Sequence, residues 1–221
     1  AEKPGGLDDA DFKLTAKLAK KFKAKVFIAY NRRFYASTIK AQEIIKKDGG
    51  VSSLIFDFTE WSHVIKKLGA SPKVKERWFL ANSTHVIDMA FFLSGKPAKI
   101  CSYKKGGLDW HPDGSIYSGA GITKSGALFS YHANWESAGR WNLEIMTPKS
   151  KLIFKPLEKL HVQKIGSTAI EEVLIDDELD KKFKPGLYRE VQLFLGNQKN
   201  LPTLREQVEN LKYYNKIEWG T

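Results

Sequence analysis

The chain has 221 residues, of which 42% are hydrophobic and 12% aromatic, a composition typical of a folded globular protein rather than a disordered one. Its formal net charge of +11 is compatible with nucleic acid, an acidic membrane surface or an anionic small molecule as partner. The single cysteine, Cys101, excludes an internal disulfide and favours a reducing, cytoplasmic location, and the apolar run Met89–Leu93 is far shorter than the roughly 20 residues that span a bilayer.

The first part of the chain predicts a helix, a strand and a second helix. In Leu7–Lys23, apolar residues recur at helical spacing after two aspartates suited to capping the helix N-terminus. The apolar segment Lys25–Tyr30 predicts a short buried strand. Tyr35–Lys47 predicts a helix that ends at the glycine pair following Asp48.

The rest of the chain predicts a sheet flanked by helices. Val51–Trp61 alternates as a strand does, Ser62–Lys75 is a polar, basic loop, and Arg77–Leu93 is helical. Further strand candidates are centred near Ile100, Ile116, Leu128, Leu143, Ile153, Val162 and Val173. Two helices follow, at about Tyr188–Leu195 and Thr203–Tyr214. Because short turns join the strands, we expect an α+β fold with an open, mostly antiparallel sheet and helices packed on one face.

A dinucleotide-binding motif is missing from the sequence. Gly-x-Gly-x-x-Gly between a strand and a helix holds a cofactor pyrophosphate on backbone N–H groups. The nearest match, Gly119–Lys124, has lysine at the third glycine position and lies among the strand candidates, where a β-turn or bulge explains it. We therefore expect that these residues alone do not bind NAD.

Three motifs occur in the same order as in one known family. Glu2–Pro4 opens the chain, and Asn31–Phe34 follows the first apolar segment. His85 and Asp88 share one face of an apolar helix that ends before Gly95–Pro97. Together these motifs resemble the Gfo/Idh/MocA family, the dehydrogenases related to glucose-fructose oxidoreductase and inositol dehydrogenase.

The resemblance implies a chain from which most of an N-terminal Rossmann domain is missing. Residues 1–33 would be the end of that nucleotide-binding domain, and residues 34–221 the substrate-binding and oligomerisation domain. It also implies an NAD(P)-dependent oxidoreductase acting by hydride transfer on a sugar or sugar-nucleotide, with NAD or NADP bound mainly by the missing domain. A non-catalytic scaffold of the same fold and a basic α+β module for nucleic acid are the alternatives. The dispersed charge makes the nucleic-acid module the weaker one.

The resemblance further implies functional residues. Lys3 would contact the reacting hydroxyl or carbonyl, and His85 would act as the general acid/base, with support from Asp88 and Asn82. The candidates for cofactor or substrate binding are Pro4, Asn31, Arg32, Arg33, Arg77 and Trp78. Alternatively, an arginine of the Asn31–Phe34 motif pairs with carboxylates where the two domains join. The histidines lack metal-ligand spacing, so no metal site is expected.

One position departs from the family pattern. Many family members have an aspartate four residues before the histidine, on the same helix face, where this chain has Ala81. The neighbouring Asn82 would point about 100° away on a regular helix. Either Lys3 and His85 act without that acid, or Asn82 replaces it in a non-helical segment, or the chain is not a standard dehydrogenase.

Two surfaces predict partners. Basic residues crowd the loop before the His85 helix: Lys66, Lys67, Lys73, Lys75 and Arg77. Unless they are simply solvated, they favour a phosphate-bearing sugar at the mouth of the pocket. The apolar residues that alternate along one strand predict an exposed sheet face, and hence a homodimer or larger assembly: Phe129, Tyr131, Ala133 and Trp135.

Overall fold

The computed structural model describes residues 1–220 and their side chains, apart from that of Asp9. Within this range the helices are α1 (Asp9–Lys21), α2 (Ala36–Asp48), α3 (Ser62–Ile65), α4 (Pro72–Glu76), α5 (Thr84–Ser94), α6 (Glu178–Lys182), α7 (Leu187–Leu195) and α8 (Leu204–Trp219). The strands are β1 (Ser53–Asp57), β2 (Pro97–Lys105), β3 (Ile116–Thr123), β4 (Leu128–Asn134), β5 (Asn142–Met146), β6 (Ser150–Phe154), β7 (His161–Lys164) and β8 (Glu171–Glu172). A 3-10 turn spans Asn31–Phe34, and a π-helical turn spans Phe79–Ser83.

The strands form one sheet in the order β2-β3-β4-β1-β5-β6-β7-β8. Neighbouring strands are antiparallel except β1 and β4, which run parallel, with Phe56 opposite Tyr131. Helix α5 packs on β1 and β5, α8 packs on β2 and β3, and α2 packs on β6. The predicted α+β fold with an open, mostly antiparallel sheet is confirmed.

The helices cover the aromatic face of the sheet, which corrects the prediction of an exposed one. The four residues expected to be exposed are each 3% exposed or less: Phe129, Tyr131, Ala133 and Trp135. Phe56 shows how this face packs, because its ring stacks on Tyr131 and meets Phe91 of α5 edge-on, with 5.6 Å between ring centroids. The open face carries the intervening residues of the same strands, including Leu128 (61% exposed) and Ile55 (46% exposed).

The first 30 residues form two extended segments joined by α1. The Ala1 amino group donates to the Phe27 carbonyl (2.8 Å), and the Ala29 N–H donates to the Ala1 carbonyl (2.9 Å). This is the hydrogen-bond pattern of parallel neighbours. Phe27 also forms an isolated antiparallel bridge with Thr203, so the strand predicted at Lys25–Tyr30 is reduced to an extended segment.

Two other predicted elements differ in ways that shape the site. The strand predicted over Val51–Trp61 ends at Asp57, because the Asp57 carboxylate accepts the Thr59 N–H (2.6 Å) and turns the chain out of the sheet. The helix predicted over Arg77–Leu93 is interrupted by the π-helical turn. Within residues 1–220, no helix combines the length and apolar character needed to cross a membrane.

Candidate active site

Lys3 lies at the end of the N-terminal extended segment. The carbonyl of the next residue, Pro4, accepts a hydrogen bond from Gln207 Nε2 (3.1 Å), which fixes the segment against α8. Burial, together with the Arg32 guanidinium, lowers the pKa of Lys3 to about 7, while the Glu60 carboxylate opposes this shift. Lys3 therefore exchanges a proton close to neutral pH.

His85 lies on the first turn of α5 and is 5% exposed. Its ring meets Tyr30 edge-on, with 5.6 Å between centroids, and lies 6.2 Å from the Trp141 ring. Burial, and then the charges of Arg32 and Lys3, hold the pKa of His85 well below its ordinary value, so the imidazole is neutral. Its buried Nδ1 has no hydrogen-bond partner within residues 1–220.

The Asp88 carboxylate is bound by Arg33 rather than by His85, contrary to the predicted support of the imidazole. Its carboxylate accepts two hydrogen bonds from Arg33, at 2.7 Å from Nε and 2.6 Å from Nη2. Both side chains are buried, and Arg33 Nη2 also donates to Glu206 (3.0 Å). Arg33 therefore takes the alternative role, pairing with carboxylates to join the 3-10 turn to α5 and α8.

Glu60 is a site residue that sequence reasoning missed. It is 1% exposed and accepts hydrogen bonds from Asn82 Nδ2 (2.9 Å), Ser83 Oγ (2.8 Å) and Arg140 Nη1 (2.9 Å). Burial raises the pKa of Glu60, and Arg140 with the hydroxyl and amide donors opposes that shift. An acidic residue three positions after the end of β1 was the available signal, but the predicted strand Val51–Trp61 included it.

The π-helical turn explains how Asn82 reaches Glu60. A π-helical turn contains more residues per turn than an α-helix. The angle of about 100° expected between the directions of Ala81 and Asn82 therefore does not apply there. Asn82 and Ser83, adjacent in sequence, both donate to the same carboxylate. This arrangement favours the alternative in which Asn82 acts from an irregular segment. The acid of the site comes from the segment that follows β1 rather than from the helix.

A stack of aromatic rings and guanidinium groups runs along one side of the site. Arg140 lies over Trp61 (4.9 Å from the ring centroid) and over Trp141 (4.4 Å), and Arg32 lies over Trp141 (5.3 Å) and Tyr35 (5.9 Å). Cation–π contacts of this length hold each guanidinium plane in place. The stack therefore fixes Arg32 beside His85.

Asn31 supports this stack from the 3-10 turn. Its Oδ1 accepts a hydrogen bond from Arg32 Nη1 (2.8 Å), and its Nδ2 donates to the Pro185 carbonyl (2.8 Å). The side chain is buried. Asn31 thus orients Arg32 and ties the turn to the segment before α7.

Two other predicted binding residues lie away from His85. Arg77 Nη1 is 3.9 Å from Glu218 Oε1, and its guanidinium lies over the Trp219 ring at the end of α8. Trp78 packs edge-on against Trp110, with 6.4 Å between centroids. The geometry does not bring either side chain to Lys3 and His85.

The described residues do not form a cradle for the cofactor pyrophosphate. The arrangement most like one is the Gly5-Gly6 turn before α1. A Cβ on Gly5 would lie 2.7 Å from Ile28 Cδ1, and one on Gly6 would lie 2.9 Å from Asp11 Cβ, so both glycines face packed protein. The Asp8 carboxylate already accepts the Asp11 N–H at this helix N-terminus, and its charge would repel a phosphate. Among residues 1–220, no three His, Cys, Asp or Glu side chains are placed to hold a metal ion.

Solved structures of NAD-binding oxidoreductases share this fold. The chain is similar to an NAD-binding oxidoreductase from Klebsiella pneumoniae (TM-score 0.74, 14% identity, covering 98% of this chain and 69% of that one). It is similar to the UDP-N-acetylglucosamine 3-dehydrogenase GnnA from Acidithiobacillus ferrooxidans (TM-score 0.72, 13% identity, covering 100% of this chain and 69% of that one). It is also similar to an inositol dehydrogenase homolog complexed with NADH and myo-inositol from Azotobacter vinelandii (TM-score 0.74, 11% identity, covering 99% of this chain and 68% of that one).

These likenesses establish the fold and no more. At identities of 11 to 14%, residue roles do not transfer from one chain to another. No family model matches the chain, and no curated protein matches it. The expected resemblance to the Gfo/Idh/MocA family is thus supported at the level of the fold.

Proposed function

We propose that the chain is the substrate-binding and dimerisation part of an NAD(P)-dependent oxidoreductase that acts on a sugar or sugar-nucleotide hydroxyl or carbonyl. In this proposal residues 1–33 belong to the nucleotide-binding domain, and NAD or NADP is held by parts of the enzyme outside the described residues. The observation that carries the proposal is the position of half-buried Lys3, close enough to buried His85 for the lysine charge to act on the imidazole. The oxidoreductases with the same fold lend further support.

Lys3 is the group best suited to move the proton of the reacting hydroxyl. A general acid or base works best when its pKa lies near the operating pH, and Lys3 meets that condition. The positive charges around His85 disfavour imidazolium, so His85 is better placed to exchange hydrogen bonds with the substrate than to hold an extra proton. We therefore assign proton transfer to Lys3 and orientation of the reacting oxygen to His85.

Glu60 takes the place of the acid that the sequence lacks at Ala81. Its negative charge raises the pKa of Lys3 and so keeps the amine from losing its proton well below neutral pH. The hydrogen bonds from Asn82, Ser83 and Arg140 hold that carboxylate in one position. An acid in this position favours an enzyme over the alternative of a scaffold that has lost its catalytic acid.

The proposal is tested by assaying the protein at its full natural length. Aldoses, polyols and nucleotide-linked sugars would be supplied with NAD or NADP, and the formation of reduced cofactor followed. Lys3→Met should lower kcat by about 100-fold or more, the usual contribution of a general acid or base, with a smaller change in KM. Lys17→Met, which alters an exposed lysine of α1, is the matched control and should leave kcat unchanged. Equal turnover by the two variants would rule out the role assigned to Lys3.

A further inference from the structure

The positive charges near His85 differ in whether they have a partner. Arg33 is paired with Asp88 and Glu206, and Arg140 is paired with Glu60. By contrast, no carboxylate among the described side chains lies within 4.0 Å of the Arg32 guanidinium. Arg32 therefore has no direct ion-pair partner there; burial lowers its pKa, and the carboxylates of Glu158 and Glu60 act on it only from beyond that distance.

The hydrogen-bonding edge of Arg32 is also incompletely used. Nη1 donates to Asn31 Oδ1 (2.8 Å), whereas Nε is buried and has no hydrogen-bond partner in the described chain. The rings of Trp141 and Tyr35 lie against the guanidinium, so an additional ligand must approach its edge. That edge presents parallel N–H groups, a geometry that matches the two oxygens of a carboxylate.

The unpaired charge acts at the reacting centre itself. Burial lowers the pKa of His85 most, and the charges of Arg32, Lys3 and Lys184 lower it further. The same arginine and Lys184 lower the pKa of Lys3. A carboxylate bound at Arg32 would therefore lie near Lys3 and His85, and so near the hydroxyl that reacts.

Three of the five cations in the basic loop expected to bind substrate phosphate lie beside acids. Lys66 Nζ lies 2.7 Å from Asp109, and Lys73 Nζ lies 3.5 Å from Asp8. Arg77 has Glu218 beside it. These neighbours reduce the positive charge that the loop can offer to a substrate.

We propose that the site binds a sugar acid. Its carboxylate, attached to the sugar ring, docks on the Arg32 edge while a neighbouring hydroxyl meets Lys3 and His85. This inference rests on the proposed function and specifies its substrate class. It extends the expectation of an anionic substrate, with Arg32 in place of the loop cations. Lys184, which is exposed, adds charge from the segment before α7.

The test is direct binding to the 221-residue chain, measured by calorimetry or ligand-observed NMR without cofactor. D-glucuronate and D-glucose differ only at the carboxylate carbon, so they form a matched pair. We expect glucuronate to bind at least tenfold more tightly than glucose, and more weakly as salt is added. Arg32→Gln should reduce glucuronate binding to the level of glucose, and Arg32→Lys should retain part of it, because charge remains without the planar fork. Arg205→Gln is the control, since Arg205 is 90% exposed.

Further ligands separate the possible sources of an anion. Glucose 6-phosphate binding more tightly than glucuronate through Arg32, or inorganic phosphate binding as tightly, would overturn the assignment of a carboxylate. Equal affinity for glucose and glucuronate, or no measurable binding of glucuronate, would do the same. If Arg32→Gln fails to fold by circular dichroism, the wild-type comparison of the two sugars decides.

The binding test is independent of the turnover test. If glucuronate binds through Arg32 but the full-length protein reduces neither NAD nor NADP, the sugar-acid site remains and only the proposed function fails. Turnover of neutral sugars without any binding of glucuronate would leave the function standing and remove the sugar acid.

Discussion

The charge of Lys3 makes stability depend on pH in a direction that can be worked out. Its pKa is about 7 in the folded chain and about 10.4 in an unfolded one. Between these values the unfolded chain binds more protons, so the contribution of Lys3 to the free energy of unfolding rises with pH. Lys3→Met should therefore stabilise the protein by about 1–3 kcal/mol at pH 6, after allowance for partial exposure, and by much less near pH 10. Urea denaturation at both values measures this difference.

Other groups titrate in the same pH range. Comparing Lys3→Met with the wild type cancels their contributions to the free energy of unfolding. Burial raises the pKa of Glu190 and of Glu218 to about 7, and both are present in either protein. An independent check is Glu60→Gln, which should lower the pKa of Lys3 further because it deletes a charge that supports the ammonium. An equal gain from Lys3→Met at both pH values would contradict the lowered pKa.

At the residue scale, short motifs named Lys3 and His85, and the fold places them close enough for the Lys3 charge to act on the imidazole. Their catalytic roles stay predictions. Arg32 and Arg33 were not distinguishable in the sequence, yet they have opposite environments. A 3-10 turn advances about 120° per residue, so neighbours face different directions, one toward Asp88 and the other toward the Trp141 ring.

At the level of elements, the Arg33–Asp88 pair joins the 3-10 turn to α5. Replacing one partner of a buried ion pair leaves the other charge without compensation. Asp88→Asn should lower the free energy of unfolding by about 2–4 kcal/mol, somewhat less than for an isolated pair because Glu206 still contacts Arg33. Urea denaturation gives this value directly.

An exposed pair provides the control for that substitution. Lys40 and Glu43 are 40% and 61% exposed, three residues apart on α2. Glu43→Gln should change stability by about 0.5 kcal/mol or less. Similar losses from the two substitutions would show that the buried pair does not join the two elements.

Periodicity predicted most elements but not the places where tertiary contacts override it. Most sheet strands and the two C-terminal helices appear where the alternating and helical patterns put them, but β8 ends at Glu172, before Val173, and the segment predicted as a polar loop contains α3 and the start of α4. The strand ends at Asp57 through a local hydrogen bond from Thr59, whereas the π-helical turn is joined to Glu60 by the hydrogen bond from Asn82, 22 residues away. The second contact links residues far apart in sequence, so Glu60 was missed together with the turn that holds it.

At the scale of the whole molecule, period-two alternation identifies two faces of the sheet without telling which one the helices cover. Phe129 and Leu128 are both apolar neighbours on β4, and either could have been the inward residue. The bulky aromatic set fills the space beneath α5, as the contact of Phe129 with Phe91 shows (5.1 Å between centroids). The exposed face is therefore the one built around Leu128 and Ile55.

That open face is where we expect two copies of the chain to meet. Leu128 and Ile55 lie on adjacent strands and point to the same side, because Ser53 pairs with Leu128 and Ile55 with Ser130. Burying two such side chains contributes roughly 1–3 kcal/mol each to association. Leu128→Lys should therefore raise the dimer dissociation constant at least tenfold, as followed by light scattering across a dilution series. Leu174→Lys is the matched control, since Leu174 is 94% exposed but lies outside the sheet. A wild-type mass of 25.1 kDa at micromolar concentration, or equal dissociation by both variants, would place the dimer interface elsewhere or exclude a dimer.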